Sequence, residues 1–283
     1  MAVVLTIVLS VISFSVTDIA ITSRESEALR AFSAAEAGVE RALIATSAQS
    51  GTFGSDSFSA QVTGIAEGTQ TFNYPADVAS GDTASVFFAA RDSSGSLSCS
   101  VAGKPCFTGS RMNVCWGREG TNPDSAAAPA VEVSVYYSDP IFSVGNFTNL
   151  KIARVTADPN AVRRGQNAFA VPVSTSGCVV DGENYAFRQI VDFAALGVPA
   201  AVYGNQGGLV LAHVKFFYNS GAAEPVGFDV NFAGSGLLPS QGERIESTGI
   251  AGESIRKVEV FRLFADTPAP FESSIFATSS IVK

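Results

Sequence analysis

Histidine is almost missing from this chain. His213 stands alone among 283 residues, tryptophan also occurs once, and charged residues make up only 16%, against roughly 25% in ordinary soluble domains. Each scarcity excludes something. The four cysteines (Cys99, Cys106, Cys115 and Cys178) form no C-x-x-C pair, and His213 is remote from all of them. The close Cys or Cys/His sets of a zinc site are therefore lacking, and neither a metal nor a cofactor is expected. No nucleophile elbow, phosphate loop, H-E-x-x-H or G-x-G-x-x-G is present, so no catalytic residues are assigned and the chain does not read as an enzyme. His213 falls inside an expected strand and reads as a core or sheet-surface residue instead of a base. Asp181-Gly182-Glu183-Asn184 could be a turn with oxygen ligands for calcium, but it is too short for a known calcium loop. Asn146-Phe147-Thr148 matches the glycosylation sequon. The net charge of -8 and pI of 4.7 disfavour general nucleic-acid binding, because an acidic surface repels phosphate. The adjacent pair Arg163-Arg164 reads as a solvated loop.

What is abundant points elsewhere. Hydrophobic residues reach 46%, with 26 glycines and 21 phenylalanines, a composition suited to short strands and frequent turns. An even number of cysteines in an exported chain implies two disulfides. Of the three pairings, Cys99–Cys106 with Cys115–Cys178 is the one expected; buried free thiols are the alternative.

The N-terminus is different in kind. Residues 1–17 carry no charge, the first ionisable side chain is Asp18, and the first basic one is Arg24. Ile19, Ala20 and Ile21 extend the run toward the roughly 20 apolar residues that cross a bilayer. The basic flank and cleavage site of a secretory signal are not evident, which leads to the expectation that the hydrophobic element begins upstream of Met1. Glycine and proline are absent until Gly38, and helix formers dominate residues 24–36. Ala28, Phe32, Ala35, Val39 and Ala42 recur at four, three, four and three, one apolar stripe on a helix. The pattern fades near Gly51, giving a rod of about 70 Å at 1.5 Å per residue. Thr6, Ser10, Ser13 and Thr17 form a second stripe that permits close helix contact in lipid or is satisfied by its own backbone.

The stretch Ala31-Phe32-Ser33-Ala34-Ala35-Glu36-Ala37-Gly38-Val39-Glu40 resembles the A-F-x-A-A-E-A element after the hydrophobic helix of type IV pilin-like proteins, specifically minor pilins of the PilX type. The likeness covers the first 45 residues or so. It implies membrane storage of the subunit, then packing of the helix against other pilin-like subunits with the help of pilus assembly machinery. Phe32, Ala35, Glu36 and Val39 become the candidate assembly residues. Glu36 and Glu40 lie four apart on one face and would contact a neighbouring subunit, the chain's own globular domain, or solvent. The glutamate that pilins often place near the start of the mature helix has no counterpart before Asp18.

Beyond Gly51 the periodicity changes. Candidate strands are 58–65, 70–74, 84–89, 112–116, 131–137, 150–156, 185–193, 209–218, 226–232, 257–264 and 273–281, separated by Asp/Asn/Ser/Gly/Pro turns. Val131, Val133 and Val135 alternate with Glu132 and Ser134; Val258 and Val260 alternate with Lys257 and Glu259. Residues 93–110 and 117–129 read as surface loops, which on rigid β scaffolds often carry recognition. The expected fold class is α+β: a long N-terminal helix (1–50) followed by a mainly antiparallel β-sandwich-like domain (51–283), with a possible break near 158–166. The expected role is a single-pass membrane-anchored, cell-surface structural subunit of a pilus-like filament or an adhesive one. A non-polymerising anchored module that binds glycan or protein is the alternative, and an envelope hydrolase a more distant one.

Overall fold

The computed structural model describes residues 2–92, 94–100, 102–142, 149–169 and 171–265; for residues 2–17 and 171–172 only the backbone is described. The elements run in chain order as α1 (Ala2–Ala45), β1 (Gln49–Phe53), β2 (Asp56–Gly64), β3 (Thr71–Asn73), β4 (Thr83–Phe87), β5 (Arg111–Arg118), β6 (Ala130–Ser138) and β7 (Leu150–Asp158). There follow α2 (Ala161–Asn167), β8 (Val171–Pro172), β9 (Cys178–Val180), β10 (Glu183–Asp192), α3 (Ala200–Tyr203), β11 (Leu209–Phe217), β12 (Val226–Asp229), β13 (Gly242–Ala251) and β14 (Ser254–Leu263). The fold class is α+β, as read from the sequence. The expected strand at 273–281 and the sequon at Asn146 lie outside the described residues.

The chain forms two compact units. One joins residues 2–64 to 242–263; the other holds residues 65–241 with 264 and 265. The boundary expected at residue 50 runs inside the first unit, and the break expected near 158–166 lies inside the second. The reason is a strand pairing no local signal shows. Gly64 at the end of β2 pairs with Glu243 at the start of β13, so the chain leaves this sheet and rejoins it beside the same point. The second unit is an insertion between two neighbouring strands.

In the first unit the sheet order is β1-β2-β13-β14, all antiparallel. One face packs on α1. Phe58, Ala60, Ile245, Ser247 and Ala251 are buried there, and half-buried Val62, Val258 and Val260 complete the contact with Val39 and Ala42. The other face mixes charge with exposed apolar residues: Arg244 pairs with Glu259 and Lys257 with Glu246 across strands, the latter at 2.7 Å, beside exposed Ile250, Ile255 and Phe261. The helix stops at Thr46, which turns left-handed (φ 50°) and donates its N–H to the Ala42 carbonyl at 2.8 Å. Residues 49 and 50, expected as the tail of the helix, open β1 instead.

The second unit holds two five-stranded sheets, β3-β12-β5-β10-β9 and β4-β11-β6-β7-β8. All pairings are antiparallel except β7 with β8. Val114, Trp116, Phe187 and Phe228 from one sheet and Val131, Val133, Val135, Val214 and Phe216 from the other are buried, as the valine alternation in β6 predicts. Phe88, just after β4, packs on both Phe107 and Phe193, the last just after β10, with centroids 5.1 and 5.9 Å away. Trp116 donates from Nε1 to the Pro129 carbonyl at 2.8 Å. His213 in β11 is buried and meets the Tyr136 ring edge-on at 4.9 Å. Asp181 and Gly182 both have positive φ (47° and 83°) in the two-residue β9–β10 hairpin, the backbone such a tight turn needs.

Candidate functional site

The stretch from Ala31 to Glu40 divides cleanly between two faces of α1. Ala31, Ala34, Ala35, Val39 and Ala42 are buried against the unit's own sheet, and Gly38 joins them. Their spacing of three and four puts all on one side. Small size is what the contact demands. A methyl group built on Gly38 would overlap the Ser247 hydroxyl and lie 2.8 Å from Phe58; one built on Gly249 of β13 would overlap the Ala31 carbonyl oxygen and lie 2.5 Å from the Ala35 nitrogen. Helix backbone and strand backbone touch with no side chain between them.

The apolar stripe read from the sequence is divided between two surroundings. Ala35, Val39 and Ala42 face inward, but Phe32 is 43% exposed. It sits about 60° round the helix from Ala35 at 100° per residue, and the inner stripe is completed instead by Ala31, Ala34 and Gly38. Glu36 and Glu40 are exposed and make no salt bridge among the described residues. The outer face thus presents Phe32 and Glu36 together with Leu29, which is 69% exposed and was not singled out from the sequence. Shallow grooves flank Leu29. One of about 400 Å³ reaches Phe53 and Asp56 of the β1–β2 hairpin; one of about 380 Å³ reaches Phe32 and Arg256. Arg30 pairs with Asp56 at 3.6 Å, and Arg41 lies over the rings of Phe53 and Phe58 at 5.1 and 5.2 Å.

Toward its N-terminus α1 loses its sheet. Every residue from Asp18 to Ser26 is exposed, Ile19 and Ile21 included. Packing begins at Glu27, whose carboxylate accepts the Glu253 N–H at 3.3 Å. Gly252, at φ 55°, places this hairpin turn where any Cβ would strike that carboxylate. The uncharged run 1–17, read as a membrane segment, has undescribed side chains; among the described residues no helix is long and apolar enough to cross a membrane.

In the second unit both disulfides pair as expected. Cys99–Cys106 closes the 93–110 loop, and Cys115–Cys178 links β5 to β9, the two neighbours of β10. They make this an extracytoplasmic kind of domain, since such bonds persist in oxidising compartments. Tyr185 lies beside the second disulfide and donates to Asn73 Oδ1 at 2.9 Å; burial, with the nearby carboxylates of Glu183 and Asp77, pushes its hydroxyl up to about 12.

Arg163 and Arg164 are not a solvated loop. Asn160 caps α2 by accepting the Arg163 N–H at 2.9 Å. The Arg163 guanidinium, 12% exposed, forks onto fully buried Asp158 at 2.7 and 2.8 Å. It also donates to the Ala126 and Ala128 carbonyls and covers the Tyr218 ring at 4.0 Å. Arg164 caps the Asp158 and Pro159 carbonyls. The pair looked solvated because its acid, five residues upstream, turns inward only in the fold.

No protein-family model, curated protein or solved structure matches this chain. Its long N-terminal helix packed on antiparallel sheet is consistent with a pilin-like fold.

Proposed function

We propose that this chain is a pilin-like structural subunit, held in a membrane by its N-terminal helix before assembly and joined to other pilin-like subunits through the outer face of α1. One observation carries the reading: the helix keeps apolar residues, Leu29 and Phe32 above all, on the side its own sheet does not cover, and every residue from Asp18 to Ser26 is exposed. An isolated helix of that length is marginal in water, so the rod needs partners along its exposed part. The motif's alanines and Gly38 are accounted for by packing within the chain; Phe32, Glu36 and Leu29 are what is left for a neighbour. Catalysis has no part in this reading.

The test is photocrosslinking in cells from p-benzoylphenylalanine at position 32, which leaves the native disulfides undisturbed. A ladder of multimers, or bonds to other pilin-like chains, is expected, and Leu29→Asp should abolish it without loss of folded protein. A monomer that stays uncrosslinked while anchored at the cell surface would defeat this proposal and favour the tethered binding module.

A further inference from the structure

We propose that the second unit carries a binding groove for neutral saccharide units. The inference stands on that unit alone and does not depend on assembly through α1.

The groove holds about 620 Å³, within the range of small-ligand sites. Its floor is strand: Asn113 of β5, Asp229 of β12 and Arg188 of β10. One wall is the loop after β5, residues 119–123, and the other the loop that leads into β9. The Cys115–Cys178 bond ties floor to second wall, so the walls are held without a ligand, which lowers the ordering cost of binding.

The chemistry of the floor selects the ligand. Asn113 is 9% exposed, and its Nδ2 donates to Asp229 Oδ2 at 3.0 Å. That bond fixes the amide, because the flipped form would set oxygen against carboxylate. Oδ1 is closed to solvent, so Asn113 acts on the groove through its bond to Asp229, holding that carboxylate in place. Arg188 lines the same groove and makes no ion pair among the described residues, so its guanidinium offers free donors. At the rim Asn184 donates to Glu119 at 3.2 Å. A ligand must give hydrogens to Asp229 and take them from Arg188. A hydroxyl does both, and a pyranose carries several in fixed geometry. Two carboxylates and one guanidinium give no excess positive charge, which disfavours an anion. Pro123 and Val179, the latter 63% exposed, supply apolar surface for the C–H face of a sugar ring.

The test is saturation-transfer-difference NMR on the full chain in detergent micelles, with glucose, galactose, mannose, N-acetylglucosamine and N-acetylgalactosamine each at about 10 mM, ten times a dissociation constant of about 1 mM. At least one sugar should show transfer, and Arg188→Ala should weaken its binding by about tenfold or more, since a charge-assisted hydrogen bond is lost. Asn113→Ala should also weaken it, because Asp229 loses the amide that holds it, with Trp116 fluorescence unchanged in both variants as the check on folding. Leu29→Asp, which tests assembly, should leave the signal intact. Silence from all five sugars, signals that survive both groove variants, or stronger transfer to glucuronate than to the neutral sugars would each overturn the proposal.

Discussion

Gly249→Ala gives the sharpest test of how the helix is seated. The added methyl would collide with the Ala31 carbonyl oxygen and crowd the Ala35 nitrogen. Both are backbone atoms in mid-helix, so no side chain can swing aside, and the helix must lift from β13 or the strand must bow. Overpacking of this kind costs about 1–3 kcal/mol, and the rigidity of both partners sets it near the upper end. With a urea dependence of about 1–3 kcal/mol per molar, the midpoint should fall by roughly 1 M. Circular dichroism at 222 nm reads the effect, because α1 with 44 residues dwarfs the two short helices. Trp116, the single tryptophan, belongs to the other unit and reports that unit separately. A helical transition unmoved by Gly249→Ala would refute the close backbone contact and, with it, the explanation of the motif's small residues. Gly249→Ser should be no better tolerated, since its Cβ meets the same atoms.

Other outcomes follow from single sites. Asp158→Asn leaves half-buried Arg163 without its buried charge partner and should cost the second unit about 3 kcal/mol, read from the Trp116 denaturation midpoint. Burial pushes the Asp158 carboxyl up, but hydrogen bonds from Arg163, the Asn160 backbone and Asn167 outweigh it and hold the group below its ordinary value of 3.8. A carboxyl lowered in the fold contributes its stability in full above about pH 4 and loses it as pH falls through the folded value. Denaturation midpoints from pH 5 to pH 2 should therefore drop more steeply in the native chain than in Asp158→Asn. Loop-closure entropy ranks the disulfides. Opening Cys115–Cys178, with 63 residues of separation, should cost about 4 kcal/mol and opening Cys99–Cys106, with seven, about 2.5; equal losses in the paired Cys→Ser variants would contradict that ranking. Tyr185 should remain protonated at pH 11 while exposed tyrosines ionise near pH 10, so ultraviolet titration of Tyr185→Phe should differ from the native curve only at the alkaline end.

The sequence by itself determined the elements whose signals are local. A stretch free of glycine and proline, rich in helix formers, makes α1. Alternation makes β6 and β14, and turn residues separate the strands between them. Two cysteine pairings were legible as well. What tertiary structure alone decided is which side of a pattern faces in and which distant segments meet. Phe32 and Ala35 sit in the same apolar stripe by sequence, yet a sheet built partly from residues 242–263 buries Ala35 and leaves Phe32 exposed. β13 went unseen because its inward positions, Ser247 and Gly249, must be small to admit the helix, and small polar residues carry no hydrophobic alternation. Asn113, Arg188 and Asp229 lie on three strands scattered over more than a hundred residues, and Gly64 meets Glu243 across the whole inserted unit. Periodicity reports the few residues on either side of a position; pairing across such separations is set by the summed packing of the finished fold, which no short window of sequence contains.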